Sequence, residues 1–203
     1  NLTTSGSAFN NNSGTIIFNG TSIVSGTLNP NYYAVTINGG ASVTAPATWN
    51  IQSNFSNSGT FNGGTGTVNF SGANVQTISG SSNTTFYNLT VNKSGGSLTV
   101  SSAETVSNNF TLTAGTCNIS SPVSMTNTTG LLTLTAGTMA ITSNNLSLAN
   151  GATISRAAGS ITTSSPGGGP WNLVYTGGSK TTGLEIPSSG SVLTVTLNTN
   201  NAS

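Results

Sequence analysis

The chain has 203 residues and only five charged ones: Lys93, Lys180, Arg156, Glu104 and Glu185. That is 2% charged, with a net charge of +1 and neither Asp nor His, against roughly 25% charged in ordinary domains. It excludes the clustered cations that nucleic acid requires, the Asp-rich loops that usually hold calcium and the imidazoles that serve most often as general base and metal ligand.

In chain order, short runs with period-two alternation, each ending at Gly, Asn or Ser, read as strands. They are Thr15–Phe18, Tyr33–Ile37, Ser42–Thr44, Thr67–Phe70, Val75–Ile78, Phe86–Val91, Ser97–Val100, Phe110–Leu112, Leu131–Leu134, Met139–Ile141, Leu146–Leu148, Trp171–Tyr175, Leu184–Ile186 and Val192–Leu197. This alternation along the whole chain argues against disorder despite the low charge. No window carries a helical stripe. Thr, Val, Ile and aromatics suit a pleated, half-buried surface, and Ser, Asn and Gly are poor in helix interiors. Asn19-Gly20, Asn38-Gly39, Asn62-Gly63 and Asn150-Gly151 are expected to supply positive φ at corners.

Two repeats organise these runs. Phe9-Asn-Asn-Asn-Ser-Gly-Thr-Ile-Ile-Phe-Asn-Gly20 returns as Phe61-Asn-Gly-Gly-Thr-Gly-Thr-Val-Asn-Phe-Ser-Gly72. Phe110-Thr-Leu-Thr-Ala-Gly-Thr116 returns 22 residues later as Leu132-Thr-Leu-Thr-Ala-Gly-Thr138. Repetition of such units predicts a stack. The expected fold is all-β, a right-handed parallel β-solenoid (β-helix) with turns of about 20 residues, in which the longer unit is two to three turns. Nine or ten turns at the spacing of stacked strands give a rod about 45 Å long. Like residues then lie over like residues, which favours Asn and aromatic ladders and makes ladders of Lys or Glu repel. The expected division is a repeat block at 1–163, a Pro/Gly loop or junction at 164–170 and a continuing block at 171–203. No polar cap is evident at either end.

The stretch Phe55-Ser-Asn-Ser-Gly-Thr-Phe-Asn-Gly-Gly-Thr-Gly-Thr-Val-Asn-Phe-Ser-Gly72, with Gln76-Thr-Ile-Ser-Gly80 and Thr85-Phe-Tyr-Asn-Leu-Thr-Val91, resembles the repeats of large secreted bacterial surface proteins, adhesin-like chains expected to form parallel β-helices. Asn109–Thr116 and Gly177–Pro187 continue the resemblance. It implies cell-surface display, adhesion or fibre formation, and carries no catalytic residue.

The candidate sites are few. Glu104 and Glu185 are read as exposed loop or strand residues; winding could bring them together, but nothing in the sequence places them as the paired acids of a glycoside hydrolase. No catalytic, cofactor-binding or metal-binding residue is assigned. Cys117 is read as a small buried side chain. Gly177-Gly-Ser-Lys-Thr-Thr182 departs from a phosphate loop at both glycines. Thr111/Thr113, Thr133/Thr135 and Thr194/Thr196 suit exposed strand faces and are too scattered for ice binding. Tyr32, Tyr33, Trp49, Phe86, Tyr87 and Trp171 are assigned to the core or a corner in preference to a sugar platform. Thirteen Asn-x-Ser/Thr sequons are possible glycosylation sites: Asn1, Asn11, Asn19, Asn54, Asn69, Asn83, Asn88, Asn92, Asn109, Asn118, Asn127, Asn145 and Asn201.

The functional expectation is a structural, non-enzymatic extracellular protein on a microbial surface, a fibre or stalk segment that stacks end to end on copies of itself. No nucleic acid, membrane span or cofactor is expected. Two alternatives stand beside it: a pilus-like filament of β-sandwich subunits joined by a donated strand, and a β-helix that binds surface glycans.

Overall fold

The computed structural model describes residues 2–4, 13–26, 31–188 and 192–198. Every strand pairing among them is parallel, and the chain winds as a β-solenoid with three strands per turn. One full turn shows the plan: Thr48–Ile51 lies in a first sheet, Phe55–Asn57 in a second and Thr60–Asn62 in a third. The facing antiparallel layers of a sandwich subunit are absent from the described residues.

The first sheet stacks nine strands, from Asn31–Tyr32 to Val192–Asn198, and the second stacks eight, from Thr15–Phe18 to Ser160–Thr162. The third is broken into runs of four and five. At strand spacing, eight levels make a rod about 40 Å long. Two long strands, Asn88–Val100 and Phe110–Ile119, turn the corner from first to second sheet without interruption.

Alternation puts one residue in two inside, and stacking turns those residues into columns. In the first sheet Ile51, Phe70, Val91, Leu112 and Leu134 lie one over the next, with Trp49, Val68, Leu89, Phe110, Leu132, Ile154 and Leu173 beside them. In the second, Val35, Phe55, Ile78, Val100, Ile119 and Ile141 form a column. The core changes character along its length. Phe18, Tyr32, Trp49, Phe55, Phe61, Phe70 and Phe86 are linked by ring centroids 5.2–6.5 Å apart. Beyond them Val, Leu, Ile and Met predominate, with Phe110, Trp171 and Tyr175 as aromatic members.

The two sequence repeats have different structural meanings. The 22-residue beat is one turn: Phe110 pairs with Leu132 and Thr111 with Thr133. The longer repeat is not a whole number of turns. Thr15–Phe18 belongs to the second sheet and its copy Thr67–Phe70 to the first; Phe9–Asn12 lies outside the described residues. An interval of that length ends on a different face, because three similar strands make up each turn.

Other expectations need correction. The run Phe86–Val91 is split: Thr84–Phe86 is in the third sheet, the chain bends at Tyr87, and Asn88 opens the first-sheet strand. Leu184–Ile186 is not a strand. Of the four Asn-Gly glycines only Gly151 has positive φ, whereas Gly40 and Gly64, one residue further on, do. At Asn38–Ala41 the Ala41 N–H closes the turn on the Asn38 carbonyl at 3.0 Å, and it is the third residue of that turn that takes positive φ. Within the 164–170 segment, Gly167 and Gly168 pair with Ser147 and Leu148.

Candidate functional site

The outer faces are ladders of small neutral side chains. On the first sheet, Asn31, Asn50 and Asn69 are in register and are followed by Thr90, Thr111, Thr133 and Ser155. Asn69 Nδ2 donates to Asn50 Oδ1 at 3.0 Å. At a corner Asn127 donates to Asn108 at 3.0 Å and Asn108 to Asn88 at 2.9 Å. The threonine array is interrupted: Val174 lies between Ser155 and Thr196.

The sequon asparagines spread around these faces. Asn19, Asn54, Asn83 and Asn92 are exposed; Asn69, Asn88, Asn109, Asn118, Asn127 and Asn145 are half-buried. Asn69, Asn118 and Asn127 use Nδ2 as a donor to a neighbouring level. Asn92 stands between Ser71 and Ala114, both small. Asn1, Asn11 and Asn201 lie outside the described residues.

The aromatics are core residues for the most part. Tyr32, Trp49, Phe86 and Trp171 are buried, and Tyr33 and Tyr87 are half-buried. Cys117 is buried in the column between Leu98 and Met139, and burial pushes its thiol up to about 12.

Both acids, expected on the surface, are buried. For Glu104 alternation decides this, since it falls on an inward position of Glu104–Val106, whereas Glu185 is buried from a segment without strand. Glu104 occupies a third-sheet column between Thr84 and Val123. Its Oε2 accepts the Thr84 N–H at 2.7 Å and its Oε1 the Ser102 hydroxyl at 2.5 Å. Burial raises its pKa, against the opposing effect of those bonds. Glu104 lies midway along the rod and Glu185 beyond the last described third-sheet strand, and the two share no hydrogen-bond partner. Among the described residues no three of His, Cys, Asp and Glu come together.

Lys93 is buried where the chain turns from the first sheet to the second. Its Nζ donates to Ser71 O at 3.2 Å, to Asn74 O at 2.7 Å and to Gln76 Oε1. Gln76 Nε2 in turn donates to Ile51 O at 3.0 Å and Ser53 O at 2.7 Å. The ammonium's three donors thus meet three neutral oxygens, and the pair ties three successive levels. Burial lowers the Lys93 pKa to about 8.

The apolar core ends in a polar plug. Arg156 continues the column of Leu112 and Leu134, with Tyr175 over it. Its Nε donates to Gly159 O at 2.7 Å and its Nη1 to Thr181 O at 2.9 Å and to Glu185 Oε1. Glu185 Oε1 also accepts the Tyr175 hydroxyl at 2.7 Å and the Gly183 N–H at 2.9 Å, and Trp171 Nε1 donates to Glu185 O at 3.2 Å. Burial alone would raise the Glu185 pKa, but the hydrogen bonds outweigh it and hold the carboxyl below its ordinary value. Residues 177–188 therefore form a strap pinned across the end of the core. This corrects the expectation of an uncapped end. The sequence did carry the signal: Thr153-Ile-Ser-Arg156 puts a cation where Leu131-Leu-Thr-Leu134 puts a leucine.

Beyond the strap, Val192–Asn198 pairs with Trp171–Thr176 and is exposed on both faces from Leu193 onward. Exposed large hydrophobics gather at the two ends: Ile17 and Ile23 at one, Leu184, Ile186, Leu193, Val195 and Leu197 at the other, with Val75 alone between them among the described residues.

No family model, curated protein or solved structure matches the chain.

Proposed function

We propose that the protein is a structural, non-enzymatic rod of a microbial cell surface, displayed outside the cell as a segment of a fibre or stalk that joins end to end with its own kind. The observation that carries this reading is the placement of exposed apolar side chains at the two ends of a rod whose sides are neutral and polar. Such patches mark contact surfaces, and an unpaired parallel strand is a template for another chain. The strap fills the end of the core, and Val192–Asn198 is the outermost first-sheet strand among the described residues, so joining would proceed by strand addition.

The near absence of charge supports the same reading, since copies stacked in register do not repel. A contact of this kind is heterologous and does not close. Electron microscopy and sedimentation of the purified chain test it. Filaments whose length grows with concentration are expected, and Val195→Lys with Leu197→Lys should abolish them. Discrete monomers up to millimolar concentration would refute it.

A further inference from the structure

The fold treats its four Asn-Gly pairs differently, and the difference has chemical consequences. An Asn side chain followed by Gly is attacked by the glycine nitrogen. That nitrogen gives up its proton to solvent base and bonds to Cγ, and the Cγ–Nδ2 bond breaks with release of ammonia. Water then opens the resulting succinimide to aspartate or isoaspartate. The reaction needs a backbone free to bring the nitrogen onto Cγ, and it is helped by a donor on Oδ1, where negative charge develops.

Asn38-Gly39 and Asn150-Gly151 lie within closed turns. At Asn62-Gly63 the turn closes on the glycine, and the Asn62 side chain is pinned by the Gly64 N–H, which donates to its Oδ1 at 3.1 Å. The Asn38 carbonyl accepts the Ala41 N–H at 3.0 Å, and Gly63 O accepts the Gly66 N–H at 2.9 Å. Asn150 and Gly151 are the central residues of a turn closed from Ala152 N to Ala149 O at 3.1 Å, and the nucleophilic Gly151 N–H is itself spent on Pro170 O at 2.9 Å. Asn19-Gly20 has no turn-closing bond among the described residues. It is exposed, nothing lies within 4 Å of where a Gly20 Cβ would stand, and the Gly20 φ is not positive. Its Oδ1 accepts a hydrogen bond from Asn38 Nδ2, one level on, at 2.5 Å.

We propose that Asn19 is a self-modifying site: it cyclises onto Gly20 and hydrolyses faster than the other Asn-Gly pairs, with Asn38 as the oxyanion donor. The product places a carboxylate in a chain that has no Asp, facing the Asn38 amide, and in the isoaspartate form it adds a backbone atom at the corner before Thr21–Gly26. The inference is independent of end-to-end assembly.

The test is peptide mapping by mass spectrometry of the full chain, produced without glycans, after incubation at pH 8 and 37 °C. The Asn19 peptide should gain one mass unit first and Asn150 last. Asn38→Ala should slow Asn19 by roughly threefold to tenfold, less than a donor contributes in a dry active site because this corner is wet. Gly20→Ala, which meets open space and keeps the fold, should nearly stop it. Conversion of Asn38, Asn62 or Asn150 as fast as Asn19, or an unchanged Asn19 rate in Asn38→Ala shown to be folded by circular dichroism, would overturn the proposal.

Discussion

Glu185, from a segment with no strand, reaches Arg156, which stands in the core column between Leu134 and Tyr175. The Glu185 side chain is wholly buried and that of Arg156 is 15% exposed. Arg156 ends the apolar column, and Glu185 makes that ending affordable by neutralising the guanidinium and fixing the strap.

Removing one partner of a buried pair leaves the other uncompensated. Glu185→Ala should therefore destabilise the rod by about 3 kcal/mol, read as a lower urea midpoint. Hydrogen exchange should rise first at Gly183 and Ile186. The pair's contribution fades as pH falls, because a carboxyl whose folded pKa is depressed binds its proton more readily once unfolded. A midpoint unchanged in Glu185→Ala would mean that the strap is not fastened to the core.

Glu104 titrates in the opposite sense. Its folded pKa is raised, so above the ordinary Glu value of about 4.3 the unfolded chain loses a proton that the folded chain keeps. Stability then falls as pH rises through the folded pKa. Glu104→Gln, compared with the parent from pH 4 to 8 by thermal melting, should remove that decline. Equal slopes in the two proteins would contradict it.

Lys93→Met keeps the length of the stem and deletes the ammonium. Ser71 O, Asn74 O and Gln76 Oε1 then lose a donor together. The expected cost is about 2 kcal/mol, despite relief from burying a charge. A gain in stability would show that desolvation of Lys93 outweighs its three bonds.

Stacked glycines offer a sharper contrast. A Cβ on Gly137 would lie 2.2 Å from Gly115 O, at a φ of +84°. Gly137→Ala should force the levels apart locally and cost more than 2 kcal/mol, beyond the roughly 1 kcal/mol that ordinary Gly/Ala propensity accounts for. Gly20→Ala should leave the melting temperature nearly unchanged. Similar melting shifts in the two variants would mean that the corners are softer than their spacing implies.

Alternation was enough to assign strands such as Thr15–Phe18, Ser42–Thr44 and Leu131–Leu134, and the beat from Phe110 to Leu132 was enough to set the turn. Both are local: one follows from the pleat and the other from equal path length around the rod. The strands Phe55–Asn57, Glu104–Val106 and Val123–Met125 escaped notice, as did the longer Thr48–Ile51 and Thr153–Arg156. The face on which each run lies also escaped, and with it the meaning of the longer repeat, since three quasi-equivalent sheets look alike in sequence.

Composition determined that the sides of this protein are neutral and that its chain is built from strands. Only the tertiary structure decided which charges go inside, because inward or outward is fixed by register against the levels on either side. Lys93, Glu104, Arg156 and Glu185 are rare enough to look incidental along the chain. Winding brings each against the carbonyls, hydroxyls or opposite charge that make its burial tolerable, and that match exists between levels about 20 residues apart in sequence, where no local pattern can register it.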